Sequence, residues 1–321
     1  MKTVKILLAV VSSLAFIGSA QPQTYPNRPI RIIVPFPAGD AADILARLVG
    51  QKLTEHLGQQ VIVDNRAGAS GQLGLDLAAR AAPDGYTIAL GQGGNLVIAP
   101  NTQRNPPYDP VKDFAAVASL VANGLVLVVH PSLPFKDVKD LIAYAKANPG
   151  KLTFASNGEG GFVHLSFELL RVQAGFTYLH IPYKGLAPSI TDLISGQVDA
   201  SMPTLAGAAP HVRSGKLRML GTTNPMRLPQ IADVPTIAET VPGYESRGWF
   251  GFVAPAAVPR EVIVLLNQEI NRAMGLADVR EKITAAGFVI DTGTPEYFAA
   301  TIKSDYAKYG KLVRDIGLQL Q

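Results

Sequence analysis

An apolar run interrupted only by Arg31 covers residues 30–34. The run has no polar alternation, which is typical of a parallel strand covered on both faces. Pro35 and Pro37 have no N–H group to give to a sheet, so strand pairing is expected to stop there. Beyond them, apolar residues from Ile44 to Leu53 recur at helical spacing. The pattern therefore predicts a strand, a tight turn and a helix.

The turn between this strand and this helix is a candidate anion site. The first N–H groups of a helix have no partner within it, and the helix dipole adds positive potential there. The same strand–turn–helix unit occurs in every α/β domain, so a purely structural turn is the alternative.

Strand-like and helix-like segments alternate along almost the whole chain, which predicts an α/β fold. The polar, proline-rich residues 101–113 form a connector with neither pattern, and no internal repeat is present. Further strands are predicted at residues 61–63, 86–90, 125–129, 152–155, 176–181, 198–202, 217–221 and 249–254, and further helices at 72–81, 137–147, 162–173, 188–195, 205–213, 261–274, 277–286 and 296–316.

Turns rich in glycine and other small residues recur where predicted strands end. Ligands of open parallel sheets bind outside the carboxyl ends of the strands, where such turns cluster. Two such sheets facing each other would form a cleft lined by backbone N–H groups and small hydroxyls. That lining suits a carboxylate without a buried arginine. The turns are residues 38–39, 68–71, 91–95, 156–161 and 183–185.

The N-terminus has the pattern of a cleaved export signal. Lys2 and Lys5 precede an uncharged apolar run at residues 6–17, and small residues follow at 18–20. The run is shorter than the ~20 apolar residues that span a bilayer. An uncleaved anchor is the less favoured alternative. We expect residues 1–20 to be removed and the mature protein to be exported, most simply to a bacterial periplasm.

Composition excludes several classes of function. The chain of 321 residues has a formal charge of +4, and loss of Lys2 and Lys5 leaves +2. No basic run is interleaved with aromatic residues, so we expect no nucleic-acid partner. No cysteine is present, so a disulfide framework is excluded. The length is enough for two α/β lobes with sizeable cores.

Motifs of common enzymes and cofactor sites are missing from the sequence. There is no Gly-x-Ser-x-Gly elbow, no phosphate-binding Gly-x-x-x-x-Gly-Lys loop and no His-Glu-x-x-His pair. The glycine-rich residues 91–96 lack the third glycine of the dinucleotide fingerprint. The five histidines have no metal-ligand spacing. We therefore expect no catalytic residue, no metal and no cofactor, with an exported hydrolase or lyase as the rival class.

A set of short motifs spread over nearly the whole mature chain resembles one receptor family. The chain is similar to the Bug family, the solute receptors of tripartite tricarboxylate transporters. The motifs are Tyr25-Pro26, residues 34–39 with Asp43, Asn65-Arg66 with Gly68-Ala69, residues 82–86, residues 108–114, residues 182–185, residues 233–236 and residues 249–251.

The resemblance implies a periplasmic binding protein of the type II, flytrap-like kind. Its lobes would be residues 21–124 plus 248–321 and residues 125–247. It would be a monomer that binds a small carboxylate between the lobes and delivers it to membrane permease subunits; a ligand sensor for a signalling partner is the alternative. The ligand contacts carried over by position are Phe36, Ala38, Gly39, Asp40, Ala41, Asp43, Ala69, Ser70, Gln92, Gly93 and Asn95 in lobe 1, and Ser156, Asn157, His164, Tyr183 and Thr204 in lobe 2.

The sequence departs from the family pattern directly after Gly39. A second glycine and then a serine or threonine are expected there, whereas this chain has Asp40, Ala41 and Ala42. Asp40 has two interpretations. It is an acidic residue that stabilises the first turn of the helix, or it faces the cleft and meets an ammonium or hydroxyl group of the ligand.

Overall fold

The computed structural model describes residues 25–320, and these form two β-sheets covered by helices. The predicted signal peptide lies outside the described residues. Between residues 25 and 320, every helix is too short or too polar to cross a bilayer. The α/β class predicted from the alternating pattern is confirmed.

The strands are numbered along the chain. They are β1 (Ile30–Val34), β2 (Val61–Asn65), β3 (Thr87–Gln92), β4 (Phe114–Gly124), β5 (Val126–Val129), β6 (Thr153–Ser156), β7 (Leu179–Pro182), β8 (Ala200–Ser201), β9 (Arg218–Thr222), β10 (Arg247–Pro255) and β11 (Val289–Ile290).

The longer helices are numbered in the same way. They are α1 (Ala41–Leu57), α2 (Gln72–Ala79), α3 (Val138–Ala147), α4 (Phe162–Ala174), α5 (Leu186–Ile194), α6 (Leu205–Arg213), α7 (Arg260–Gly275), α8 (Ala277–Ala285) and α9 (Pro295–Asp315). A π-helical turn, Gly94–Ile98, continues into the short helix Ala99–Asn101.

The two sheets have the same pattern of strand order. The first runs β11-β4-β10-β3-β1-β2, and the second runs β7-β6-β8-β5-β9. In each, the first strand of a parallel trio lies between the other two, and an antiparallel strand follows on one side. That antiparallel strand is β10 in the first sheet and β5 in the second. The carboxyl ends of the parallel strands face the cleft between the sheets.

The chain passes between the sheets twice. The first passage is abrupt, since β4 ends at Gly124 and β5 begins at Val126. The second uses residues 223–246, between β9 and β10. The predicted lobe boundaries stay a prediction, and the strands of the second sheet all lie within residues 125–247.

A buried polar chain ties the C-terminal helix to the second lobe. The Ser166 hydroxyl on α4 lies 2.7 Å from that of Ser246, which lies 3.0 Å from the Tyr309 hydroxyl on α9. Tyr309 is 1% exposed and belongs to a core that also contains Phe154 of the second sheet and Trp249 of the first. The two lobes therefore share packed side chains beside the passages of the backbone.

The structure contains elements that the pattern analysis missed. Strand β4 was not predicted, and it pairs along nine residues with β10. Its sequence is rich in alanine and lacks the β-branched alternation that marks a strand. Strands β7 and β8 are shorter than predicted. Both sheets are mixed, not purely parallel, because each receives the strand that enters from the other lobe.

Candidate functional site

The cleft between the lobes holds two connected chambers. The polar chamber has a volume of about 640 Å³, and the apolar chamber has a volume of about 940 Å³. Residues of both lobes line each chamber, so a single elongated molecule can occupy both. The five residues that line both are Phe36, Gln92, Asn123, Asn157 and Thr204.

The chambers differ in their other lining residues. The polar chamber also includes Ala69, Ser70, Gln72, Gly93, Gly94, Asn95, Glu159, Gly160, Gly161, Phe162 and Trp249. The apolar chamber also includes Asp40, Ala41, Ile44, Arg47, Leu48, Leu205, Ala206, Phe250, Lys282 and Phe288.

On the first lobe, the polar chamber is bordered by a strained turn. Ala69, Ser70 and Gly71 have φ angles of 46°, 55° and 92°, a left-handed conformation that costs non-glycine residues about 1–2 kcal/mol each. The turn leads into α2 at Gln72, where no side chain caps the helix. The N–H groups of Gly71, Gln72 and Leu73 donate to the carbonyls of Gly68 and Ala69 within the turn. An anion at this helix start therefore meets the positive end of the helix dipole.

Asn95 supplies a side-chain donor beside this turn. Its amide oxygen accepts a hydrogen bond from the Gln92 N–H at 2.9 Å, and its carbonyl accepts one from the Tyr108 hydroxyl at 2.6 Å. These bonds fix the orientation of a side chain that is 1% exposed. Its Nδ2 has no hydrogen-bond partner among residues 25–320. An unpaired buried donor is costly, so a ligand acceptor would stabilise this group.

On the second lobe, the start of α4 borders the same chamber. Gly161 precedes α4 in extended conformation and provides no side-chain cap. The loop before it is fixed by the Gly160 N–H, which donates to His164 Nδ1 at 3.0 Å. Uncapped helix starts of opposite lobes therefore border one chamber, and both carry positive potential.

Among the described residues, no basic side chain lines the polar chamber, and Glu159 is its charged residue. Glu159 is exposed and therefore well screened by solvent. The groups that this chamber offers to an anion are therefore the starts of α2 and α4 and the side chain of Asn95.

The helix starts at the apolar chamber are already capped. The Asp40 carboxylate accepts the Ala42 N–H at 2.9 Å at the start of α1. The Thr204 hydroxyl accepts the Gly207 N–H at 3.3 Å at the start of α6. Each of these two helix starts therefore has a side-chain acceptor of its own, which the starts of α2 and α4 lack.

The structure brings most of the predicted site residues to the cleft. Ten of them line one or both chambers, and six do not. The ten are Phe36, Asp40, Ala41, Ala69, Ser70, Gln92, Gly93, Asn95, Asn157 and Thr204, and the six are Ala38, Gly39, Asp43, Ser156, His164 and Tyr183.

Asp43 holds the turn before α1 in place. Its side chain is 4% exposed and accepts hydrogen bonds from Gly39 N, Asn65 Nδ2 and Arg47 Nε, each at 2.9 Å. Burial raises the pKa of this carboxyl, but the three donors together keep the pKa below its usual value. Asp43 thus positions the turn and does not reach the cleft.

His164 lies behind the loop of the second lobe. Its ring stacks on His180 at 3.8 Å between centroids, and His180 Nε2 lies 2.7 Å from the Ser156 hydroxyl. Burial, with added repulsion from His180 and Arg171, lowers the pKa of His164 to about 3. His164 is therefore neutral at ordinary pH and acts as the acceptor that holds Gly160.

Tyr183 is engaged within its own lobe. Its hydroxyl donates to Asp192 on α5 at 2.7 Å. Burial and this carboxylate raise the pKa of Tyr183 to about 12. The predicted contact of Tyr183 with a ligand therefore has no support from this arrangement.

Comparison with known proteins gives a family assignment. The family described as "Tripartite tricarboxylate transporter family receptor" matches residues 45–318. The chain is 37% identical to protein BugT of Bordetella pertussis over 321 residues, which is 98% of each chain. This chain belongs to that receptor family.

Solved structures of similar proteins agree with the assignment. An R. palustris protein with adipate is 34% identical, with a TM-score of 0.74, and the match covers 91% of this chain and 98% of that one. MatC from Rhodopseudomonas palustris with bound malate is 30% identical, with a TM-score of 0.71 over 90% and 100% of the two chains. The family is one of solute receptors, not of enzymes.

In the receptor family the residue after Gly39 was expected to be a second glycine, and the structure shows what Asp40 does instead. It caps α1, as the first interpretation predicted, and it also lines the apolar chamber. The position of Asp40 therefore allows both interpretations, a cap of the helix and a contact with the ligand.

Several lining residues were missed by sequence reasoning about this receptor. Asn123 lies near the end of β4, the strand that was not predicted, and it was not assigned to the ligand. Trp249 was assigned only to a strand, yet it lines the polar chamber and donates to Asp305 at 2.8 Å. Gln72 and Phe162 could have been found, because each is the first residue of a predicted helix.

Proposed function

We propose that this protein is an exported receptor that binds a small carboxylate in the polar chamber and delivers it to a membrane permease. Residues 1–20 would be removed on export, and the lobes would be residues 21–124 plus 248–321 and residues 125–247. The observation that carries the proposal is the meeting of the uncapped starts of α2 and α4 at one chamber. The unpaired Nδ2 of buried Asn95 adds a side-chain donor there.

The ligand classes of solved family members support this choice. The R. palustris protein holds adipate and MatC holds malate, and both molecules are carboxylates. In this chain a carboxylate would lie between the helix starts of both lobes. It would therefore stabilise the form in which the lobes are close together.

A thermal-unfolding screen of acids against their neutral amides tests the proposal. At one hundred times its Kd, a bound acid adds about 2.7 kcal/mol to the free energy of unfolding. We expect at least one of malate, adipate, hexanoate and benzoate to stabilise the protein, and hexanamide and benzamide to have no effect. Equal stabilisation by an acid and its amide would refute recognition of the carboxylate.

Replacing Lys184 with alanine is expected to change carboxylate affinity little. Lys184 follows Tyr183 in an exposed turn and lines neither chamber. The loss in binding should stay below about 1.5 kcal/mol, the range of one ordinary hydrogen bond. Titration calorimetry measures it, and complete loss of binding by a folded variant would show that a cationic side chain recognises the ligand.

A further inference from the structure

The apolar chamber is lined by large apolar side chains of both lobes. Ile44 on α1 is 57% exposed, although it belongs to the first turns of a helix at the cleft. Leu48 and Phe288 of the first lobe and Leu205 of the second are half-buried in the same chamber. An exposed apolar cluster of this kind is typical of a ligand-binding surface.

The charges around this chamber do not favour a second anion. Arg47 is engaged by the buried carboxylate of Asp43 at 2.9 Å. The remaining charged side chains are Asp40 and Lys282, which have opposite sign. Lys282 is exposed on α8. At both helix starts here a cap side chain already accepts one N–H group, that of Ala42 on α1 and that of Gly207 on α6, which makes these starts less open to a carboxylate.

The two chambers adjoin, because five residues line both, and one elongated molecule is long enough to contact both. We infer that the ligand is an amphipathic monocarboxylic acid. Its carboxylate lies in the polar chamber, and its apolar body lies between Ile44, Leu205 and Phe288 in the apolar chamber. This inference rests on the proposed function and names the class of acid.

Burial of the apolar body gives the expected size of the effect. Each buried methylene group raises affinity about fourfold, as its transfer from water predicts. A second carboxylate at the far end would lose part of its hydration among apolar side chains, and the negative charge of Asp40 would offset the attraction of Lys282. The chain length of the acid should therefore matter more than a second charge.

Titration calorimetry with acetate, butanoate, hexanoate, octanoate and adipate tests the inference on the wild-type protein. We expect affinity to rise at least tenfold from butanoate to octanoate and hexanoate to bind more tightly than adipate. Equal affinities along the series, or tighter binding of adipate, would overturn the inference while leaving carboxylate recognition intact. Absence of binding by all five acids would also overturn the inference, and the proposed function would fail only if malate and benzoate did not bind either.

A pair of matched variants locates the apolar body. Ile44→Ser should weaken octanoate about five- to tenfold and leave acetate unchanged, because only the longer acid reaches the chamber. The control is Val172→Ser, which also replaces an exposed apolar side chain on a helix. Val172 lies on α4, is 41% exposed and lines neither chamber. Leu205→Ala tests the opposite wall. Equal octanoate affinity in the Ile44 and Val172 variants, with Leu205→Ala also unchanged, would overturn the assignment.

Discussion

Replacement of Gly71 by alanine is expected to weaken carboxylate binding roughly 30- to 100-fold, which is about 2–3 kcal/mol. Gly71 has a φ of 92°, and an added Cβ would lie 2.6 Å from Asn95 Nδ2 and 3.3 Å from the Pro35 carbonyl oxygen. The methyl group would displace the unpaired donor of the polar chamber and distort the turn before α2. Titration calorimetry gives the loss in affinity.

Gly58→Ala is the matched control for this change. Gly58 also has a left-handed φ, of 66°, but an added Cβ there meets no atom within 4 Å. Both variants should lose about 1–2 kcal/mol of stability from the unfavourable φ, and only Gly71→Ala should lose affinity. Binding within threefold of wild type in Gly71→Ala would contradict the role given to this turn.

Asp43→Ala is expected to reduce the free energy of unfolding by about 3 kcal/mol at neutral pH. The change removes a buried carboxylate that accepts hydrogen bonds from Gly39, Asn65 and Arg47. A hydrogen bond to a charged group contributes about 1.5–3 kcal/mol to stability. Urea unfolding measures the difference. Asp40→Ala is the matched control, since the exposed cap of the same helix should cost only about 1 kcal/mol.

The Asp43 effect should depend on pH in a defined direction. The folded-state pKa of Asp43 lies below its usual value, so its stabilisation is fully present above the unfolded pKa of about 4. It is lost as the pH falls through the folded pKa. The stability gap between wild type and Asp43→Ala should therefore shrink in acid. A gap that stays constant from pH 7 to pH 2.5 would contradict the ionised, hydrogen-bonded state.

The first strand, turn and helix show what the sequence could predict. A run of apolar residues before Pro35 and a helical stripe after Asp40 are local signals. They give the bounds of β1 and place α1, whose stripe from Ile44 to Leu53 lies inside the observed helix. The turns at 68–71 and 91–95 were also correctly linked to a cleft, because strand ends of one sheet share an edge.

Non-local features lay beyond the same reasoning. Strand β4 is held by its partner β10, more than a hundred residues away, and its own alanine-rich sequence gives little signal. The difference between the two chambers depends on which side chains line each and which helix starts are capped, and both need side-chain positions. His164 and Tyr183 were carried over to the ligand site by position from the family resemblance, and the structure shows both bonding within their own lobe.

The position of β10 in the middle of the first sheet has a consequence for how the newly made chain acquires its shape. Proteins are synthesised from the N-terminus, and lobes generally fold as units in that order. Here the strands of the later lobe are complete at residue 222, whereas β3 and β4 lack the strand between them until residues 247–255 follow. A chain that stops earlier would present two bare strand edges, which invite aggregation. The last quarter of the chain therefore completes the first sheet, whose other long strands are synthesised first.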